Sequence, residues 1–332
     1  MKICIVGAGA IGGYIGAKLA LGGEQVTLIA RGAHLDAIQK NGLKLVSADG
    51  AEHVVKDVFA TSDMGEAGRQ DVAILALKAH SVPAIATALR ALYGSETMVV
   101  TAQNGIPWWY FRKHGGEFEG QRIQSVDPDG IVEANIEVDR VIGCVVYPAA
   151  ELAEPGIVRH IEGDRFSLGE LDGSKTSRLE LLSQTFSRAG LKAPIRTRIR
   201  SEIWVKLWGN LAFNPISALT RATLENICQY PLTRELARNM MTEAQAIAER
   251  LGVEFGITLE QRINGAQKVG AHKTSMLQDI ETGRPTEVDA IVGAVAELGR
   301  LTNIPTPHID GIYASVKLLE KTPSQRLDIS QI

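Results

Sequence analysis

Six residues near the start of the chain constrain its fold more than any others. Gly7-Ala8-Gly9-Ala10-Ile11-Gly12 is a G-x-G-x-x-G run that directly follows the apolar segment Lys2-Ile-Cys-Ile-Val6 and opens a helical stretch from about Gly12 to Leu21. In a strand–turn–helix setting the first glycine allows a tight turn and the second lets the backbone approach a pyrophosphate. The third lets helix and strand pack closely, and the helix N-terminus offers unpaired N–H groups to phosphate. The run predicts a dinucleotide site; the plainer reading is a glycine-rich turn without a ligand.

The rest of the N-terminal half agrees with that context. Short apolar runs recur at 25–30, 71–77 and 97–102, with helical stretches between them, as at 82–93. Near-continuous apolar strands alternating with helices imply a parallel sheet covered on both faces. Val141–Tyr147 and Ile157–Ile161 read as antiparallel strands separated by Glu154-Pro155-Gly156. From Ser201 to about Glu320 the period is helical, punctuated by Gly252, Gly283 and Pro305. The expected class is α/β: a Rossmann-like doubly wound sheet over residues 1–199, an all-helical domain over 200–321 and a mobile tail at 322–332. Residues 112–139, with the turn Asp127-Pro128-Asp129-Gly130, read as an insertion or flap.

Composition narrows the class of function. The 332 residues suffice for about two domains, and 45% hydrophobic content excludes a largely disordered chain. With 35 basic and 38 acidic residues the net charge is -3, so no broad footprint for nucleic acid or an anionic membrane is expected. No apolar run reaches the ~18 residues of a membrane span. Glycines at 7, 9, 12, 13 and 16, with Tyr14 and Lys18, argue against a signal peptide at the N-terminus. Cys4, Cys144 and Cys228 are far apart, forming neither a disulfide framework nor a zinc pattern; a reducing cytoplasm fits and no metal is expected. The oligomeric state stays open, a homodimer included.

The type of dinucleotide can be argued from the second strand. An NAD site usually carries Asp or Glu at that strand's end, to bind the ribose 2′-OH. Here the residues are Ile29-Ala30-Arg31-Gly32, without a carboxylate, and Arg31 suits a 2′-phosphate. This favours NADP over NAD. His34 could assist, although a lone loop histidine is more often incidental.

In the helical half, Lys206, Asn210 and Asn214 recur every fourth residue within Trp204–Pro215 and form one polar stripe. Val205, Leu207, Trp208, Leu211 and Phe213 surround it with apolar side chains. Such a stripe needs partners or a ligand. Spacing alone does not decide between a ligand-facing stripe and a solvated lysine beside a buried amide network.

Taken together, these blocks resemble the ketopantoate reductase (2-dehydropantoate 2-reductase) family. The resemblance rests on the glycine loop, Arg31, Leu77-Lys78-Ala79, Gln103-Asn104-Gly105, Lys206-x3-Asn210-x3-Asn214-Pro215, Ser275-Met-Leu-Gln-Asp279 and Arg284-Pro-Thr-Glu287-Val-Asp289. It implies NADPH-dependent reduction of a small-molecule 2-keto acid, with a Rossmann and a helical domain flanking a cleft. It makes Lys206 the general acid, assisted by Glu287, which also contacts bound ligand. It assigns Asn210 and Asn214 to the substrate's hydroxyl and carboxylate end, Ser275 to its carboxylate, and Lys78 and Asn104 to the meeting point of nicotinamide ribose and substrate. The chemistry is consistent: hydride addition to a ketone builds negative charge on oxygen, which an ammonium can stabilise and then protonate.

Two features depart from the family pattern. Many members carry an asparagine where a gapless count places Leu224; Asn226 or Thr223 could substitute. Residues 106–111 (Ile-Pro-Trp-Trp-Tyr-Phe) either pack against the sheet or wall a bulkier keto acid. The rival readings are a relative acting on another branched or aromatic 2-keto acid, such as a D-mandelate-type dehydrogenase, and a non-catalytic NADP-binding regulator.

Overall fold

The computed structural model describes residues 1–322; the tail expected at 322–332 lies, beyond Thr322, outside the described residues. The chain divides into two compact units, Met1–Ile203 and one beginning at Trp204, so the division falls within helix Ile199–Thr220.

The first unit holds two sheets. Its strands are β1 (Lys2–Val6), β2 (Gln25–Ile29), β3 (Leu43–Val46), β4 (Glu52–Val55), β5 (Val58–Thr61), β6 (Gln70–Leu75), β7 (Tyr93–Thr101), β8 (Val141–Val146), β9 (Ala149–Glu154), β10 (Ile157–Glu162) and β11 (Phe166–Gly169). Seven of them form the main sheet in the order β11-β8-β7-β6-β1-β2-β5. All its pairings are parallel except β11 with β8. From β1 the chain winds outward through β2 to β5 on one side and through β6, β7 and β8 on the other. The switch point therefore lies between β1 and β6, where open α/β sheets bind ligands outside the carboxyl ends of their strands. Ile3, Cys4 and Ile5 are fully buried, as are Val72, Ala73, Ile74 and Leu75, which is why these strands read as unbroken apolar runs.

A second sheet, ordered β4-β3-β10-β9, corrects the sequence reading of residues 141–161. Val141–Val146 is buried throughout and sits in the main sheet, parallel to β7 and antiparallel to β11. Ile157–Glu162 pairs antiparallel with β9 and parallel with β3. The two segments are not partners; the Glu154-Pro155-Gly156 turn instead joins β9 to β10. β9 escaped notice because Ala-Ala-Glu-Leu-Ala-Glu has no β-branched residue and no apolar alternation. The helical stretch expected at 82–93 is one α-turn, Val82–Ile85, and a 3-10 turn, Ala88–Leu92.

Helix α1 (Ala10–Leu21) has its glycines where neighbours come close. A Cβ on Gly13 would stand 2.7 Å from Val158 of β10, and one on Gly16 2.7 Å from Leu28 of β2. The small sheet thus rests on α1, where Tyr14 stacks on His160 with ring centroids 4.3 Å apart.

The aromatic run belongs to the core. Trp108, Trp109, Tyr110 and Phe111 are all buried, and Trp109 donates its indole N–H to Thr101 Oγ1 at 2.9 Å. Arg200 donates to the carbonyls of Tyr110, Arg112 and Leu171 and fastens the end of the run. Trp109→Ala should therefore cost about 3–5 kcal/mol of stability, seen in denaturant unfolding. Residues 112–139 are not a flap. Ile123, Val132 and Ile136 are buried, Arg112 pairs with Glu133, and Asp127 accepts from the N–H groups of Val132 and Glu133 at 3.0 Å each.

The second unit is helical throughout its described residues. Helix Ile199–Thr220 continues into it, followed by Leu224–Gln229, Pro231–Arg250, Leu259–Lys268, Ser275–Glu281, a π-helical turn Asp289–Gly293 that runs into Ala294–Thr302, and Pro307–Lys321. Gly252, Gly283 and Pro305 fall between helices. Among the described residues no helix is long and apolar enough to cross a membrane, and no group of His, Cys, Asp and Glu is placed to hold a metal ion. Cys4, Cys144 and Cys228 are buried and none is in a disulfide.

Candidate active site

Four loops of the first unit leave the carboxyl ends of adjacent parallel strands. Gly7–Gly12 follows β1, Arg31 follows β2, Lys78 lies just beyond β6, and Asn104 just beyond β7. The glycine loop fits a phosphate cradle. Gly7 has φ +98°, in the region side chains avoid, and a Cβ there would lie 2.5 Å from Leu77. A Cβ on Gly12 would stand 2.0 Å from the Gly7 carbonyl oxygen, so no larger residue fits where α1 begins. Beside Gly9, by contrast, nothing lies within 4 Å of a built Cβ, which leaves the space a pyrophosphate needs. Ala8 is buried, while Ala10 and Ile11 are partly exposed in the first turn of the helix. Arg31 is exposed at the N-cap of α2 (Gly32–Asn41). Lys78 and Asn104 are half-buried.

In the second unit the stripe is clear. Trp204, Trp208 and Leu211 are fully buried on the other faces of the long helix, and the Trp208 indole donates to the Met241 carbonyl at 2.7 Å. Lys206 and Asn210 remain half-buried, and Asn214 is 6% exposed. Pro215 has no N–H to donate to the Leu211 carbonyl, yet the helix runs on to Thr220. Ser275 is exposed at the first position of helix Ser275–Glu281, whose N-cap is Thr274. Neither proposed substitute for the missing asparagine is spare: Thr223 caps helix Leu224–Gln229 and donates to Asn226 Oδ1 at 3.1 Å.

Three arrangements were not foreseen from sequence. First, Glu202, in the opening turn of the long helix, accepts from Tyr147 at 2.9 Å and Ser167 at 3.0 Å and pairs with Arg196 at 3.0 Å. Burial, and then the charge of Glu202, push the Tyr147 phenol up to about 12, so it stays a neutral donor. Second, Glu287 stands at the helix start expected for it, its carbonyl accepting from the Ile291 N–H at 3.0 Å, and the last described helix holds the residues on either side of it, Thr286 and Asp289. Glu320 accepts from the N–H and hydroxyl of Thr286 at 3.0 and 2.7 Å, while Asp289 accepts from Tyr313 at 2.6 Å and Lys317 at 3.0 Å. Burial would by itself lower the Lys317 pKa; the hydrogen bond and charge of Asp289 outweigh it, and the net shift is upward. Tyr313, Lys317 and Glu320 lie on one helix face by their spacing of four and three, a pattern that could have been noticed beside Thr286-Glu287-Val288-Asp289. Third, His34 bridges two backbone groups and is taken up below.

Strand order, switch point and glycine turn define a Rossmann-type chain followed by an all-helical unit. The profile of the ketopantoate reductase family PanE/ApbA matches residues 3–173, and that of the family's C-terminal region matches residues 198–320. A 2-dehydropantoate 2-reductase of Mesorhizobium japonicum is 57% identical over 96% of this chain and 98% of its own length. The crystal structure of 2-dehydropantoate 2-reductase from Geobacter metallireducens is 28% identical, with a TM-score of 0.84 over 97% of this chain and 99% of that one. D-Mandelate dehydrogenase solved with NADH and anilino(oxo)acetate shares the fold, at 24% identity and a TM-score of 0.83 over 97% and 98% of the two chains. The chain belongs to the ketopantoate reductase family. It is an oxidoreductase.

Proposed function

We propose that this protein reduces a 2-keto acid to the 2-hydroxy acid with NADPH, and that the substrate is 2-dehydropantoate, giving pantoate on the route to pantothenate and coenzyme A. The observation that carries the reading is the Lys206-Asn210-Asn214 stripe, kept on a buried helix in a chain 57% identical to a 2-dehydropantoate 2-reductase over nearly its whole length. A regulator without catalysis would have no use for a proton donor there.

Gly7–Gly12 would hold the pyrophosphate, Arg31 the 2′-phosphate, and Lys78, Asn104 and Glu287 the nicotinamide ribose region. When bound, the dinucleotide supplies a hydride to the keto carbon. Lys206 stabilises the negative charge that grows on the keto oxygen and delivers the proton that completes the hydroxyl. Glu287, at a helix start, orients the ammonium. Asn210, Asn214 and Ser275 hold the hydroxyl and carboxylate of the substrate.

Arg31 makes cofactor choice a direct test. NADPH should bind at least about tenfold more tightly than NADH, and Arg31→Ala should remove that preference while leaving NADH affinity unchanged. Equal affinities in the unaltered protein, by fluorescence titration, would refute the assignment. Leu224 favours a second substrate reading, a more apolar 2-keto acid, since it is apolar where many relatives carry asparagine. Comparing kcat/KM for 2-dehydropantoate and phenylglyoxylate decides between them; a higher value for phenylglyoxylate would overturn the proposed substrate.

A further inference from the structure

His34 lies in the first turn of α2, three residues after Arg31, and its half-buried ring spans two segments distant in sequence. Its Nε2 is 2.6 Å from the carbonyl oxygen of Ala8, inside the glycine loop. Its Nδ1 accepts the N–H of Gly156 at 2.9 Å. The second contact settles the first: a nitrogen that accepts carries no proton, so the neutral ring bears its proton on Nε2 and donates it to Ala8.

Both attachment points are themselves fixed. Ala8 donates its own N–H to Ile29 at 3.0 Å, at the end of β2. Gly156 has φ +79° in the β9–β10 turn, where its carbonyl accepts from Lys44 of β3 at 2.9 Å and a Cβ would stand 3.0 Å from Ala37 of α2. The ring therefore ties the glycine loop to the small sheet through the same helical turn that presents Arg31.

We infer that His34 is a positioning residue for dinucleotide binding: it fixes the Ala8–Gly9 peptide through its carbonyl, and with it the Gly9 N–H that would face the phosphates. The inference rests on the dinucleotide reading above and adds to it a residue that need not touch the cofactor. The requirement is one donor and one acceptor held about 2 Å apart in one plane, which a glutamine amide also supplies and an alkyl chain does not.

The test measures dissociation constants for NADPH and NADH, together with kcat at saturating cofactor, in the full chain. His34→Ala should weaken both nucleotides by about tenfold, the scale of one lost hydrogen bond, while kcat stays within about twofold. His34→Gln should recover most of the affinity. Unchanged binding in His34→Ala would overturn the inference. So would a loss confined to NADPH, because it would place His34 on the 2′-phosphate. An imidazole 15N spectrum of the unaltered protein gives a second readout that needs no variant: the Nε2–H tautomer supports the bridge and the Nδ1–H tautomer refutes it. Unaltered protein that binds neither nucleotide would refute the dinucleotide reading itself, a result distinct from a silent His34 variant.

Discussion

Lys206→Ala should lower kcat by at least about 10²-fold, the lower bound for losing a positioned general acid, while NADPH still binds through Gly7–Gly12 and Arg31. The reason is local. Trp204, Trp208 and Leu211 bury the remaining faces of the helix, so its turns cannot rotate to replace one stripe residue by another. In the unaltered protein the reduction rate should fall as alkaline pH removes the ammonium proton, and this limb should be absent from the residual activity of the variant. Glu287→Ala should also depress turnover, and the double variant should lose less than the sum if the two groups act as a unit. Near-normal turnover in Lys206→Ala would overturn the mechanism and leave the family assignment untouched.

Gly12→Ala should damage both stability and cofactor binding. The added Cβ would stand 2.0 Å from the Gly7 carbonyl oxygen and 3.0 Å from the Ala76 Cβ, and the first obstacle is backbone, which cannot turn aside as a side chain can. Overpacking of this kind costs about 3 kcal/mol, lowering Tm by several degrees. The forced shift moves the turn itself, so nucleotide affinity should fall at least about tenfold. Gly9→Ala is the contrast: nothing lies within 4 Å of its Cβ, so it should leave Tm unchanged and weaken only the nucleotide. A Gly12→Ala protein with unaltered Tm and affinity would contradict the role of the turn.

The sequence revealed what has a period or a fixed spacing. β1, β2, β6 and β7 are buried on both faces, and buried parallel strands write themselves as apolar runs. The stripe at 206, 210 and 214 follows from helical geometry alone. Of the small sheet only β10 is legible: β3 and β4 have four residues each, and β9 reads as helix-prone. Val141–Val146 and Ile157–Glu162 each have an antiparallel neighbour, but β11 and β9 rather than one another, because a fully apolar strand carries no mark of which sheet it joins. Long-range polar ties were also hidden. Nothing near His34 in the chain announces Gly156, and Glu202 gives no sign that Tyr147 and Ser167 converge on it. The aromatic run at 106–111 looked like a wall to a substrate as much as a core segment, and only burial decided the matter.

In the proposed reaction, hydride passes from NADPH to the C2 carbon of a 2-keto acid. Reduction of 2-dehydropantoate with NADPH carrying deuterium at the transferable position of its nicotinamide ring, followed by mass spectrometry of the product, tests it directly. The expected product is pantoate with a single deuterium at C2, formed in equal amount to the dinucleotide oxidised. Unchanged 2-dehydropantoate, or pantoate without the label, would contradict it.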